Sequence, residues 1–299
     1  MMIKNMFKVI SIFRLENSLK NILIFFPLFF SKKIITDSGI ENLFFGFLFF
    51  IFMTSICYVT NDYSDRFIDK INKLKKNKNY KITKKIVILL NLILGLTILI
   101  LALKTNIINY YIPVYLSLFF SYNFFFKRIK FFDILFLVAF YIIRLLYGAE
   151  ISNVDISYWF IIFFISIFLI LALFKRMLQI FNNQLKNKNK IIQYSYKNIP
   201  FFKKTIISAA VINSLTLLTF IGELSFPNTL NYFSSDVTKY SYNIYFLSVI
   251  LILYIYWLSR AINIVFKHII KQDFYSFIIR DKITYIIMLS TIFVILYKG

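Results

Sequence analysis

Phe44-Phe45-Gly46-Phe47-Leu48-Phe49-Phe50-Ile51-Phe52-Met53-Thr54-Ser55-Ile56-Cys57-Tyr58-Val59-Thr60 runs without a charge into Asn61-Asp62-Tyr63-Ser64-Asp65-Arg66-Phe67-Ile68-Asp69. The first part is a membrane span, because roughly 20 apolar residues of helix cross a hydrocarbon core of about 30 Å. The second part places Asn61, Asp62, Asp65 and Asp69 at relative positions 0, 1, 4 and 8 as the span ends. Helical spacing stacks the last three on one face over two turns. Three carboxylates so placed repel one another unless a cation neutralises them. Oxygen donors with no His or Cys nearby suit Mg²⁺, or Mn²⁺ in its place, and Mg²⁺ binds through one or two carboxylates plus substrate phosphates. The plainer reading is a solvated helix end, with Asp65 and Asp69 paired to Arg66, Lys70 and Lys73. These carboxylates are three of only 13 in the chain and emerge from a membrane span, which favours a metal–diphosphate site.

Blocks of the same kind recur along the 299 residues, of which 60% are apolar, against roughly 45–50% in soluble chains. Spans are expected near 17–32, 41–60, 86–104, 109–126, 132–150, 157–175, 205–223, 242–266 and 283–297. The expected fold is therefore an all-α integral membrane protein, a bundle of about nine transmembrane helices. Lys4, Lys8 and Arg14 resemble the start of a signal peptide, but no small-residue cleavage site follows Phe29-Phe30. With no linker and no fixed-period repeat, residues 1–299 read as one transmembrane domain.

The net charge of +22 suggests nucleic acid at first sight, but Lys, Asn, Ile, Phe and Tyr are inflated together, as in a chain from an AT-rich genome. Where the charges fall is more informative. The N-terminal segment and the loops after spans two, four, six and eight hold 28 of the 35 Lys and Arg residues; the alternate loops and the tail hold five. That alternation places the N-terminus and even loops in the cytoplasm and the C-terminus outside, in a multi-pass inner (cytoplasmic) membrane protein. Cys57 alone permits no intramolecular disulfide and no cysteine metal site. The lone His268, in a basic loop, reads as interfacial.

Three charges lie where a charge is costly. Arg144 sits eleven residues after Asp133 in span five, about 16 Å along the helix, and needs a partner, either functional or structural, such as Glu150 or an acid on a neighbouring span. Arg260 in span eight poses the same question, tilted toward structure. Asp133, at an interfacial helix start, suits the helix dipole or a substrate role equally.

With these residues in place, the chain resembles the UbiA superfamily of intramembrane prenyltransferases. Within it the pattern looks like the decaprenyl-phosphate phosphoribosyltransferase-like branch. Leu19-Lys20-Asn21 with Phe26-Pro27-Leu28-Phe29 resembles the family's W-L-K-N…P-L-x-F opening. Asp69 followed by Asn72, Lys75 and Lys78 resembles D-x-x-H-P-x-K-x-x-R-P. Tyr122, Lys127-Arg128, Asp133, Arg144 and Gly148 resemble Y-S-x-x-L-K-R…L-D…L-R-x-x-x-G. Lys175-Arg176 resembles K-R-x-x-E-L, and Arg280-Asp281-Lys282 the closing R-D-R/K. The chain departs from these patterns at Ser18, Asn72, Lys73, Lys78-Asn79 and Gln179.

The resemblance implies transfer of 5-phosphoribose from phosphoribosyl diphosphate to a polyprenyl phosphate, feeding cell-envelope glycan synthesis, with membrane lipids as surroundings and an oligomer left open. Classical members carry a second acidic cluster after span six. Here no Asp or Glu occurs from Ile156 to Gly222, and Lys175 and Arg176 stand at that place. A basic pair wants a phosphate rather than a second metal, and Arg offers a two-point fork for it. By the resemblance, Asp62, Asp65 and Asp69 hold Mg²⁺ and Asn61 orients a carboxylate or metal-bound water. Lys75, Lys78, Lys127 and Arg128 hold donor phosphates; Lys175 and Arg176, with Lys20, hold the lipid phosphate. Asn21, Tyr122, Asp133 and Arg144 complete the substrate-binding set. Two alternatives stand beside this reading. One is a prenyl-diphosphate transferase acting on an aromatic or other lipid acceptor. The other is a non-catalytic transport or lipid-binding protein, which would show inverted repeats and Gly/Pro-broken spans that are not seen.

The charge partition predicts topology directly. Accessibility tags in 61–85 and 176–204 should report cytoplasmic exposure and a tag after Gly299 the opposite side. A cytoplasmic tag after Gly299 contradicts the odd span count.

Overall fold

A computed structural model describes residues 19–31, 37–64, 87–89, 91–93, 95–97, 100, 110–184, 194–225, 244–269, 277–278 and 281–298. A 3₁₀ helix over Leu19–Phe25 leads into α1 (Phe26–Ser31). The further helices are α2 (Asp37–Ser64), α3 (Tyr111–Phe124), α4 (Phe132–Ile151), α5 (Tyr158–Gln184), α6 (Ile199–Ser225), α7 (Ile244–Phe266) and α8 (Lys282–Lys298). Every regular element among the described residues is helical. Among the described residues five stretches, Gly39–Asn61, Phe132–Ile151, Tyr158–Phe181, Tyr196–Ile221 and Ser248–Phe266, are long and apolar enough to cross a membrane. Large apolar side chains such as Ile252 and Leu289 are exposed on the outside, as lipid-facing positions require. This is an all-α, multi-pass membrane protein.

Each described helix falls on an expected span, but several overrun the expected ends. α5 continues to Gln184 rather than stopping near 175, and α6 starts at Ile199 rather than 205. Hydropathy marks where a chain leaves the hydrocarbon, whereas a helix ends only where its backbone bonds stop; Lys175 and Arg176 satisfy the first condition and not the second. Pro27, Pro113 and Pro200 sit in the first turns of α1, α3 and α6, where a missing N–H leaves no bond unmade. Ahead of α6, the Ser195 N–H donates to Asn198 Oδ1 at 3.0 Å, closing a capping box.

The chain forms two compact units, Met1–Lys127 with Ala139–Asp155, and Arg128–Val138 with Ile156–Gly299. In the first, Ile24, Phe49, Phe50, Met53, Tyr115 and Tyr147 pack into one core. The Phe50 ring meets Tyr115 edge-on at 5.1 Å and Tyr147 at 4.9 Å. Gly148 is required here by close approach: a Cβ on it would collide with the backbone carbonyl of Ile24.

In the second unit α5 packs on α6 and α7, and α7 on α8. Asn213 of α6, fully buried, donates through Nδ2 to the Phe163 carbonyl and Ser166 Oγ, both at 2.8 Å, while Tyr254 of α7 donates its hydroxyl to Asn213 Oδ1. One amide thus ties three helices where no water is available to satisfy it, the usual polar link between membrane helices.

Gly148→Ala should therefore lower the detergent-solubilised unfolding temperature, with a cost of about 1–3 kcal/mol from overpacking. Gly95→Ala, which meets nothing within 4 Å, is the control and should unfold like the wild type. Equal stability of both variants contradicts the contact with Ile24.

Candidate functional site

The first unit places Asn61 in the last turn of α2, half-buried, with Oδ1 accepting from Lys127 Nζ at 2.9 Å. Lys127 lies in the 3₁₀ turn Phe126–Arg128 that follows α3. Two expected site residues are therefore brought together. The contact uses the Asn61 carbonyl oxygen, which leaves the amide Nδ2 as the group Asn61 can offer, a donor suited to phosphate oxygen. Asp62 follows on helical backbone, while its side chain and that of Arg128 lie outside the described residues. Asp65, Asp69, Lys75 and Lys78 also lie outside them. Among the described residues no three His, Cys, Asp or Glu side chains gather. Lys20 is half-buried in the first 3₁₀ helix, and Tyr122 packs its ring edge-on to Phe140 at 5.8 Å.

Arg144 is buried in the same unit, and the structure corrects the partner expected for it. Glu150 is exposed, since six residues turn a helix by about 600° and put it on a different face. Arg144 Nε donates to Asn21 Oδ1 at 2.8 Å, Nη2 to Tyr115 Oη at 2.9 Å, and Nη1 to the Phe140 carbonyl. Its guanidinium lies 5.2 Å from the Tyr115 ring centre and 5.8 Å from that of Tyr141. Asn21 in turn donates Nδ2 to Thr54 Oγ1 at 3.2 Å, which passes its hydrogen to the Phe50 carbonyl at 2.8 Å. Among the described side chains no carboxylate pairs with Arg144. The cation is held by neutral acceptors and aromatic faces.

The second unit builds a cluster at the start of α4. Asp133, 3% exposed, faces Arg176 of α5, whose Nε stands 2.6 Å from Oδ2. That contact is close but off the line of a hydrogen bond, so it is a one-point ion pair. Arg176 Nη1 donates to Gln179 Oε1 at 2.6 Å. Tyr194 donates its hydroxyl to Asp133 Oδ1 and accepts the Phe131 N–H at 2.7 Å. Burial, then the hydrogen bond to Asp133, push the Tyr194 hydroxyl well above its usual range, so it stays protonated and donates. Phe131 adopts a left-handed backbone with φ 68°, a costly conformation for a bulky residue and one met at functional turns. Lys175, next to Arg176 on α5, is exposed.

The sequence singled out Asp133 and Arg176 separately but not as a pair, and it missed Tyr194. Nothing in the sequence marks this tyrosine in a loop rich in Lys and Asn. Arg260 meets Asp281 two-fold, at 2.6 and 2.8 Å, and Asp281 Oδ2 also accepts the Thr284 N–H at 2.9 Å as the cap of α8. The structural reading of Arg260 therefore holds. The Arg260 contact, first among the causes, lowers the Asp281 pKa to about 2. Its contribution to stability is present above the ordinary carboxylate range and is lost as pH falls through about 2. His268, in the turn that follows α7, has a left-handed conformation, φ 57°, with its ring 4.3 Å from Phe181.

A family model described as the UbiA prenyltransferase family matches residues 23–264. An uncharacterized protein y4nM of Sinorhizobium fredii (strain NBRC 101917 / NGR234) is 27% identical over 168 residues, 54% of this chain and 32% of that protein. The match thus spans about a third of that curated relative. A solved structure, described as digeranylgeranylglyceryl phosphate synthase in membranes, superposes with a TM-score of 0.58 at 18% identity, over 99% of this chain and 98% of that one. At that identity the likeness shows the fold.

The Arg144 network generates a stability test. Asn21→Ala should destabilise the purified protein by about 1–3 kcal/mol, because a buried donor loses its acceptor, whereas Asn21→Asp restores one. Unfolding of Asn21→Ala at the wild-type temperature contradicts the network.

Proposed function

The chain belongs to the UbiA prenyltransferase family, and on that premise we propose that it moves 5-phosphoribose from phosphoribosyl diphosphate onto a polyprenyl phosphate at the cytoplasmic membrane face. The product would feed cell-envelope glycan synthesis. Family membership makes the protein a multi-pass membrane transferase that handles prenyl-type lipids. One observation carries the finer reading: the exit of α5 is basic. No carboxylate occurs from Ile156 to Gly222, and the acid nearest in kind, Asp133 of α4, is engaged by Arg176 and Tyr194. Such a site suits a phosphate monoester and not a second metal.

The donor side follows from the acidic motif. Hard oxygen donors of Asp62, Asp65 and Asp69 fit Mg²⁺, which when bound supplies neutralisation of the charge that develops on the leaving diphosphate. Lys127 and the Asn61 amide offer hydrogen bonds to the diphosphate oxygens, with Lys75, Lys78 and Arg128 adding charge. The acceptor is bound through Lys175 and Arg176. A phosphate oxygen of the lipid attacks C1 of the ribose, the C1–O bond to diphosphate breaks, and its electron pair leaves with the diphosphate. The attacking oxygen is already an anion, so no general base is required, in keeping with a site that needs no His.

A second reading, prenyl diphosphate as the donor to another lipid acceptor, is favoured by the family itself and by the fold likeness. The two readings differ at α5. In Lys175→Ala and Arg176→Lys, apparent affinity for polyprenyl phosphate should fall about tenfold or more, because charge-assisted contacts are each worth roughly 1.5–3 kcal/mol. Arg176→Lys keeps a cation opposite Asp133 and so separates binding from folding. Activity should vanish with chelator, return with Mg²⁺ or Mn²⁺, and be lost in Asp62→Asn. Unchanged affinity in both α5 variants refutes the phosphate site, and full activity of Asp62→Asn refutes the metal role.

A further inference from the structure

Tyr194 has a use that the reaction scheme does not absorb. Its hydroxyl is fully committed, donating to Asp133 Oδ1 and accepting from the Phe131 N–H at 2.7 Å. The ring is fixed from both sides, 6.0 Å from the Phe131 ring and 5.1 Å from that of Phe202. Both Tyr194, 6% exposed, and Asp133, 3% exposed, are buried. The Phe131 N–H reaches the hydroxyl from a left-handed backbone, so a strained residue is kept where it completes this contact.

The consequence falls on Arg176. A buried carboxylate beside a guanidinium ordinarily closes a two-point fork, with both oxygens taking parallel N–H groups. Arg260 and Asp281 in the same unit do so, at 2.6 and 2.8 Å. Asp133 does not. One oxygen is taken by Tyr194, the other stands 2.6 Å from Arg176 Nε, and Nη1 turns to Gln179. Among the described residues Nη2 of Arg176 has no acceptor, and the side chain keeps 15% of its surface open.

We propose that Tyr194 is a positioning residue for the acceptor site: by occupying Asp133 Oδ1 it keeps the carboxylate from closing on Arg176, and so leaves guanidinium hydrogens to bind the phosphate of the lipid. The inference rests on the phosphoribosyl-transfer reading above. It adds that the strength of lipid-phosphate binding is set by a neutral hydroxyl one residue removed from the cation.

The test uses the full-length protein in detergent or nanodiscs, with phosphoribosyl diphosphate and polyprenyl phosphate as substrates. Tyr194→Phe keeps the ring and removes the hydroxyl. Its KM for polyprenyl phosphate should rise about tenfold, as loss of one charge-assisted contact requires. Its kcat, donor KM and Mg²⁺ dependence should stay within about twofold, because Tyr194 acts only through Arg176. In an Asp133→Asn background no two-oxygen carboxylate remains, so adding Tyr194→Phe should change KM less than about twofold. The unfolding temperature of every variant is measured alongside, so that a variant that fails to fold is told apart from one that folds and binds the lipid weakly. An unchanged KM in Tyr194→Phe, a fall in unfolding temperature alone, or the same tenfold rise in both backgrounds overturns the proposal. If the wild type makes the phosphoribosyl lipid and these results fail, only the role of Tyr194 is lost. If the wild type makes none, the reading it rests on falls first and takes it along.

Discussion

A guanidinium buried in a helix that crosses a bilayer has no water to bind, and in the first unit much of the packing answers that constraint at Arg144. Asn21 supplies the acceptor for Nε, Tyr115 for Nη2 and the Phe140 carbonyl for Nη1. To deliver Asn21, the 3₁₀ helix Leu19–Phe25 must lie against α4, and it does so over Gly148, where a larger residue would strike the Ile24 carbonyl. Thr54 then fixes Asn21 from α2. One charge thus accounts for a glycine, an amide and a hydroxyl on three different helices.

Three of the described arginines are settled in three ways. Arg144 has neutral partners, Arg260 has a full carboxylate fork, and Arg176 has half of one. On the proposed reading, the differences map onto use. A cation with neutral partners keeps its charge at the cost of desolvation, and a forked one is neutralised and becomes structural. The half-engaged cation keeps both a fixed position and donors to spare, which is the condition for binding an anion that comes and goes.

Much of this was legible in the sequence, and the limits are physical. The spans follow from apolar blocks, because transfer into hydrocarbon depends on composition alone. Asp133 and Arg144 stood out because a charge at or within a span is costly, and Asn61, Lys127 and Arg176 because they fit the patterns of the resemblance. Their partners did not, since Asn21 to Arg144 and Asp133 to Arg176 are contacts across helices that spacing along one helix cannot reveal. Glu150 shows the error this invites: it is near Arg144 in sequence and on another face in space. Tyr194 was invisible for a further reason. In a chain with 21 tyrosines, one more in a basic loop carries no signal until its hydroxyl is seen against Asp133.

The central claim is that the acceptor brings its own phosphate and the donor is a pentose diphosphate. The most direct measurement is mass spectrometry of the lipid formed by purified protein given polyprenyl phosphate and Mg²⁺, with phosphoribosyl diphosphate in one reaction and prenyl diphosphate plus an aromatic acceptor in the other. The account predicts a polyprenyl phosphate heavier by one phosphoribosyl group in the first reaction and no new lipid in the second. A prenylated acceptor in the second reaction, with the first unchanged, contradicts it.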